Sequence, residues 1–569
     1  MLKAFSSSKA QEIVAGLLLV VAGALFYAAT YNRSSYEYIL RADEGVSFAT
    51  AMRTVQGFVP QRDFPSYYGP VMPYVYAAAF KLFGGSLAVM RAFWAFLNVL
   101  SVLLLFRIAR HLLPTWMAFL AAALVIGQQH PPLYTYNHIG LVLALEGILL
   151  LMLRAMSRGA PKYFKWALTA LLLLALLIKF NEALVVLVVI VVFLWISKLW
   201  ISKPWIDQPG IGQLGPAGQS PAAVSVKDVV IPGALAIVIF AAITFALNAG
   251  LTQAEFMRNF PLLPQYQASI GGYKYVSLVL SMPFRTPWAK MTAHRWYIFW
   301  YENYVFAMLA SFVLGIFFLI AAAQFFFSRT YRRTIDLVRW KSVLVLAVAA
   351  ATYHEFYLTG NHWSTPMYIG LCLVAIVSFI WHALSGFPRL RYVPLLALLC
   401  VCLVSDAFYI DVVHRKYSAF YLDAPRARIY SSDDSDAPLV SEVVEFLEHN
   451  SNPQASIAAF PHDALLIYLA GRRNALRDDD YQWMLFPTEQ SDDEIVREIE
   501  TKKVSEVLIS NFVGIRHGQP VFFGRDYLPH TFNYLQEHYR LVKTFGDNPR
   551  AYQVQYLQLN DAGDAEQSR

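Results

Sequence analysis

Three places in the chain hold side chains of a kind that group-transfer chemistry needs. The first is the adjacent acid pair Asp43-Glu44 within RADEGVSFATAMRTVQGFVPQRDFPSYYGP, residues 41–70. A carboxylate at a helix start caps first-turn N–H groups, and one fixed in that way is also well placed to take a proton from a hydroxyl as a general base. The second is Lys179 in LLLLALLIKFNEAL, residues 171–184. It reads either as a snorkelling lysine beside Glu182 or as a phosphate ligand, a point charge with three donors pressed against the bilayer. The third is PFRTPWAKMTAHRWYIFWY, residues 283–301, where His294 and Arg295 lie among aromatic rings with Arg285 and Lys290 nearby. Such a stretch is either an interfacial aromatic belt or a positive patch beside aromatic faces, which suits a phosphate carrying a sugar.

Lesser candidates for substrate contact are Arg62, Asp63, Tyr67 and Tyr68 in the turn VPQRDFPSYYGP, His138 in a group with Gln128, His130 and Asn137, and His354 and His362 in HEFYLTGNHW. None of these has metal-ligand spacing, so no metal or other cofactor is assigned, with a divalent cation left open. Nucleotide-binding glycine loops, HExxH and paired CxxC motifs are lacking from the sequence.

The elements that must position these side chains follow from composition. At 57% hydrophobic and 15% charged residues with a mean hydropathy of +0.43, the 569-residue chain is too apolar for an ordinary soluble protein. Apolar runs near spanning length fall at roughly 13–30, 86–107, 113–128, 138–153, 166–180, 183–200, 228–249, 302–327, 342–358, 365–384 and 392–410. These eleven expected spans put the two ends on opposite sides. The first is read as retained, being long for a cleaved signal.

With Lys3 and Lys9 cytoplasmic, every basic cluster between spans falls on the same side: Arg107 and Arg110; Arg154 and Arg158; Lys198 and Lys203; Arg332, Arg333 and Lys341; Arg389 and Arg391. Asp43 and everything after about residue 411 then lie outside. Residues 432–569 hold 12 Lys and Arg against 23 Asp and Glu, so the overall charge of +7 hides an acidic tail. The basic excess reflects membrane topology, and no nucleic-acid partner is expected. Cys372, Cys400 and Cys402 all sit in apolar runs and offer no external disulfide.

The spacing therefore predicts a membrane domain over 1–411 and a soluble α/β domain over 432–569. The first external loop, 31–85, is expected to form two interfacial helices: one carrying Phe48, Met52 and Val55 on a narrow apolar face, the other over 70–83. Residues 201–227, rich in Gly, Pro and Gln, read as a cytoplasmic linker. In the tail, ASIAAF and SEVLIS read as strands, while VSEVVEFL, HDALLIYLAG and SDDEIVREIETKK read as helices, the last opening on a capping box of Ser491 and Glu494.

From RADEGVSF to the RIAR that closes the second span, the sequence resembles the N-terminal third of the GT-C glycosyltransferases, in the branch of the protein O-mannosyltransferases and the lipid A aminoarabinose transferase. The resemblance rests on Asp43, Glu44, Gly69, Pro70, Phe83, Gly84 and Arg91. It implies a GT-C fold and a catalytic pair at Asp43 and Glu44. It also aligns Lys179, with His294 and Arg295, to donor-phosphate contacts; Phe180 replaces a glycine that often follows the lysine, and HEFYLTGNHWSTP matches the later motif only loosely.

The implied reaction is an inverting transfer of a monosaccharide from a polyprenyl-phosphate carrier to an acceptor hydroxyl on a lipid, glycan or protein, at the outer face of a bacterial cytoplasmic membrane. A transporter of a polar or lipid-linked substrate is the rival from another class. Transporters gather ionisable groups near mid-bilayer and repeat their halves, whereas here the polar residues sit at span edges and no repeat is visible. A membrane-anchored scaffold would not need eleven spans.

Overall fold

The fold is that of a computed structural model, which describes residues 8–31, 44–66, 69–128, 136–201, 224–259, 337–352, 365–384, 387, 389–416, 420–424, 426–431, 437–455, 457–481, 489–516, 519–547 and 552–560. The described residues fall into two compact units. One gathers Met1–Ala29, Trp94–Thr244 and Val276–Asp411; the other gathers Thr30–Phe93, Phe245–Tyr275 and Val412–Arg569.

The first unit is helical. Its apolar runs form α1 (Ser8–Thr30), most of α4 (Leu87–Arg110), α5 (Thr115–Gln128), α6 (Tyr136–Arg158), α7 (Phe164–Ile201), α8 (Lys227–Asn248), α10 (Leu337–Thr352), α11 (Thr365–Ala383) and α12 (Tyr392–Lys416). Among the described residues, α1, α4, α6, α7 and α8 are long and apolar enough to cross a membrane. The expected span at 302–327 and the linker at 202–223 lie outside the described residues.

Small residues let these helices approach closely. Ala118, Ala121 and Ala122 on α5 are fully buried. A Cβ on Gly127 would clash with the carboxyl of Asp406 on α12. Polar pairs fix the helix ends: Glu12 on α1 accepts from Arg107 Nη1 and Arg110 Nη2, each at 3.0 Å.

The runs at 166–180 and 183–200, read as separate spans, are two helical segments of α7 with no loop between them. They join directly at Lys179, whose φ of −154° and ψ of 94° interrupt the helix for a single residue.

In the second unit, α2 (Gly45–Val55) and α3 (Val71–Phe83) pack together, with the Phe48 and Phe80 rings 5.3 Å apart. Gly84, at φ +96°, ends α3 in a conformation that glycine adopts freely. Next to it, a Cβ on Gly85 would meet Met52 Sδ at 2.8 Å. The sequence predicts for α2 one apolar stripe on a surface helix. Instead every residue from Gly45 to Thr54 except Val46's half-buried side chain is buried, Arg53 included. Pairing of its charge, described below, is what permits this.

The same unit holds α9 (Gln253–Asn259) and the tail. After the hairpin β1 (Phe420–Ala424) and β2 (Ala427–Ser431) come α13 (Ala437–Asn450), β3 (Ile457–Phe460), α14 (Ala464–Leu469), α15 (Glu489–Lys502), β4 (Glu506–Ser510), the hairpin β5 (Val513–Arg516) and β6 (Gln519–Phe522), α16 (Pro529–His538), β7 (Tyr539–Phe545) and β8 (Val554–Leu559). The main sheet has the order β3-β4-β8-β7, with β3 and β4 parallel and the other pairs antiparallel. Phe460, Tyr481, Ile495, Val507, Leu535 and Leu557 form its core.

The strands predicted at ASIAAF and SEVLIS are β3 and β4. The capping box is not formed, because α15 begins at Glu489 and leaves Ser491 inside the helix. Asp492 serves a different helix: its carboxylate accepts the first backbone N–H groups of α16, from His530 and Thr531, each at 2.8 Å.

Candidate functional site

Both ends of α2 are fastened by buried arginine–carboxylate pairs. At its start Glu44 is fully buried, and Arg91, 2% exposed, donates to it through Nε at 2.7 Å and Nη2 at 2.8 Å. This is the planar two-pronged contact that a guanidinium makes best. Glu44 occupies the N-cap position with helical dihedrals and no side-chain cap, its oxygens being directed to Arg91.

Nine residues further on, Arg53 meets the tail. Its Nη2 donates to Asp479 Oδ1 at 2.9 Å and to the Leu476 carbonyl at 2.6 Å; its Nε lies 2.7 Å from Asp479 Oδ2 and 2.8 Å from the Tyr468 hydroxyl. Tyr468 in turn donates to Asp479 Oδ1 at 3.0 Å, and Asn474 Nδ2 donates to the same oxygen at 2.7 Å. Burial opposes the Arg53 charge, but Asp479 and Tyr468 outweigh it and hold the guanidinium more firmly charged than a free arginine. Burial pushes the Tyr468 phenol well above its usual range, so the hydroxyl keeps its proton.

The loop between α2 and α3 is fixed at two further points. Gln61 adopts φ +69°, a strained conformation for a non-glycine residue, and its carbonyl accepts from Asn259 Nδ2 at 2.6 Å. Asn259 Oδ1 accepts from the Ser66 backbone at 3.2 Å. Arg62 and Asp63 form an exposed pair, Nε to Oδ1 and Nη2 to Oδ2 at 2.8 Å each, and Asp63 also accepts from the Val59 N–H. The hydrogen bonds from Arg62, together with the Val59 N–H, hold the Asp63 carboxyl below its ordinary range against partial burial.

In the first unit, Lys179 sits at the break in α7 with its side chain 8% exposed. Its Nζ lies 2.8 Å from His138 Nε2 on α6 and 3.8 Å from Glu182 Oε1 one turn on. Glu146, about two turns further along α6, accepts from Ser101 Oγ on α4 at 2.8 Å.

The structure thus brings His138 to Lys179 and Arg91 to Glu44. Asp43, Tyr67, Tyr68, His294, Arg295, His354 and His362 lie outside the described residues. Among the described residues no group of three His, Cys, Asp or Glu is arranged to hold a metal ion. Sequence reasoning missed Arg53 and the run Arg477-Asp478-Asp479-Asp480. The one available signal was an arginine on the face that should have been wet.

Residues 65–211, from the α2–α3 loop through α7, match the family described as dolichyl-phosphate-mannose-protein mannosyltransferase. No curated protein sequence matches the chain. Among solved structures, ArnT from Cupriavidus metallidurans in the apo state aligns over 95% of this chain and 97% of its own at 13% identity and a TM-score of 0.51. The same protein bound to undecaprenyl phosphate gives 13% identity, the same coverage and a TM-score of 0.50. The archaeal oligosaccharyltransferase AglB from Archaeoglobus fulgidus, in complex with an inhibitory peptide and a dolichol-phosphate, aligns over 87% of this chain and 69% of its own at 12% identity and a TM-score of 0.47.

The chain is an integral membrane protein with a GT-C type fold. Within that class it resembles the protein mannosyltransferase and ArnT branch.

Proposed function

We propose that the chain is an inverting glycosyltransferase that moves a monosaccharide from a polyprenyl-phosphate carrier to an acceptor hydroxyl outside the cytoplasm. The observation that carries this reading is Lys179: a buried cation at the single non-helical residue of a long apolar helix, steadied by His138 and Glu182, inside the segment that matches the mannosyltransferase family. A lysine is costly to hold in such surroundings and is retained where an anion needs it.

The chemistry divides simply. The carrier phosphate leaves as a stable anion, so the donor side needs positive charge rather than a proton; Lys179 supplies it, aided by His294 and Arg295. The acceptor side needs a base, and Asp43 takes the hydroxyl proton as the oxygen attacks the anomeric carbon opposite the departing phosphate, inverting it. Glu44 does not move protons in this scheme. With both oxygens directed to Arg91 it anchors the helix start to which Asp43 is joined. Arg62, Asp63, Tyr67 and Tyr68 are assigned to substrate contact.

Two variants in the full chain test this. Undecaprenyl phosphate should raise the melting temperature of the wild type and of Asp43→Asn, and should do so less for Lys179→Ala. Asp43→Asn should lose nearly all sugar transfer, measured as a mass gain on acceptors from cells, at normal membrane insertion. Unimpaired transfer by Asp43→Asn discards the base; absence of any response to the lipid phosphate discards the donor class.

A further inference from the structure

We propose that Asp479 of the tail is a positioning residue for sugar transfer, acting through Arg53 to hold α2 and the acids at its start; the inference rests on the transferase reading above. One short run in the tail reaches back to both preceding segments of its unit. Arg477 Nη1 donates to the Arg62 carbonyl at 2.8 Å and its Nε lies 3.6 Å from Glu255. Asp478 Oδ2 lies 3.5 Å from Arg258 Nη1 on α9. Asp479 takes Arg53 on α2. Asp480 turns inward and pairs with His462 at 2.8 Å, which fixes the run to the end of β3.

Three successive side chains thus engage α2, the loop that follows it and α9, while the fourth ties the run to the sheet. The contacts at Arg53 are the best made of these. Its side chain is 5% exposed, and Asp479, itself 5% exposed, has both oxygens within hydrogen-bond distance and is further oriented by Tyr468 and Asn474. A pair oriented from both sides in this way transmits position rather than merely charge, because neither partner has a free rotamer. Helix α14, which bears Tyr468 at its fifth residue, packs directly on α2. With Glu44 locked to Arg91 at one end and Arg53 locked to Asp479 near the other, α2 can neither slide nor roll. The tail's function on this view is to set the acceptor-side geometry.

The test uses the full chain in lipid nanodiscs, as wild type, Asp479→Asn and Tyr468→Phe. Hydrogen exchange of residues 44–55 should quicken by about tenfold or more in Asp479→Asn and by less in Tyr468→Phe, with β3, β4 and β8 exchanging as in the wild type. Transfer should show kcat lowered by roughly ten- to a hundredfold in Asp479→Asn with the KM for the lipid-linked donor within about twofold, the signature of lost orientation rather than lost binding. Tyr468→Phe keeps both charges and the ring, so it carries the test should Asp479→Asn fail to fold. Unchanged exchange over 44–55, or a raised donor KM at unchanged kcat, overturns the proposal. If wild-type protein neither binds undecaprenyl phosphate nor transfers sugar, the transferase reading fails, and the positioning role for transfer falls with it even where the exchange result shows the clasp to be real.

Discussion

Breaking the Glu44–Arg91 pair from one side should cost far more than removing it whole. Both partners are buried, at 0% and 2% exposure, and each guanidinium prong ends on its own carboxylate oxygen. Glu44→Ala leaves the Arg91 charge in a space from which water is excluded, at a cost of about 3–5 kcal/mol. At 1.4 kcal/mol for each factor of ten, that is roughly two to nearly four powers of ten in the folding equilibrium. Replacing both partners by apolar residues of similar size, as in Glu44→Leu with Arg91→Met, removes two desolvation costs along with the attraction. The double variant should therefore be near neutral to about 4 kcal/mol more stable than wild type. Thermal unfolding of detergent-solubilised protein, followed by tryptophan fluorescence, gives the ranking: either single variant well below wild type, the double variant level with it or above. Additive losses, with the double variant the least stable of the set, would show that the pair is not desolvated as described and would refute the reasoning. The double variant should still transfer poorly, because apolar side chains do not fix the rotation of α2 as a two-pronged contact does.

Burial pushes the Asp478 carboxyl up to about 6, with Arg258 opposing and Glu498 adding to the rise. The folded chain binds this proton more tightly than the unfolded one, so the group's stabilising contribution is full below its ordinary pKa near 4 and is lost as pH rises through about 6. Asp478→Asn, which cannot ionise, should accordingly gain on the wild type by on the order of 1–2 kcal/mol between pH 5 and pH 7.5, read from melting curves at the two pH values; a constant difference between the curves contradicts the assignment. Gly127→Ala would drive its Cβ into the Asp406 carboxyl, and overpacking of that kind costs about 1–3 kcal/mol. A fall in melting temperature and in monodisperse yield is the expected result, relieved when Asp406 is shortened to Ser in the same chain.

Legibility from sequence followed the range of the interactions. Apolar runs declared the helices because burial in lipid or protein leaves a period or a length in the local sequence, and β3 and β4 declared themselves by their apolar, β-branched runs. Lys179 was visible as a cation where none should be. Its break in α7 was not, since LLIKFNEAL holds no glycine or proline and its Asn181 lies two positions past the interruption; the interruption coincides with a side chain turned toward His138, 41 positions earlier. Ser491 and Glu494 had the spacing of a capping box, but the helix begins at Glu489 and leaves Ser491 inside it; Asp492 beside it meets donors on α16, 38 and 39 positions away. Arg53 was the plainest loss. Its helix reads as half wet because the partner that dries it lies in the tail, and no local pattern carries that information.

Separation along the chain also has a genetic consequence. Arg53 and Asp479 are 426 positions apart, so the beginning and the end of the polypeptide are not independent targets for mutation. In a selection for restored growth, suppressors of a lesion at codon 479 should arise near codon 53. Swapping the tail for that of a distant homologue should fail unless the incoming segment brings its own acid, or the recipient helix gives up its arginine.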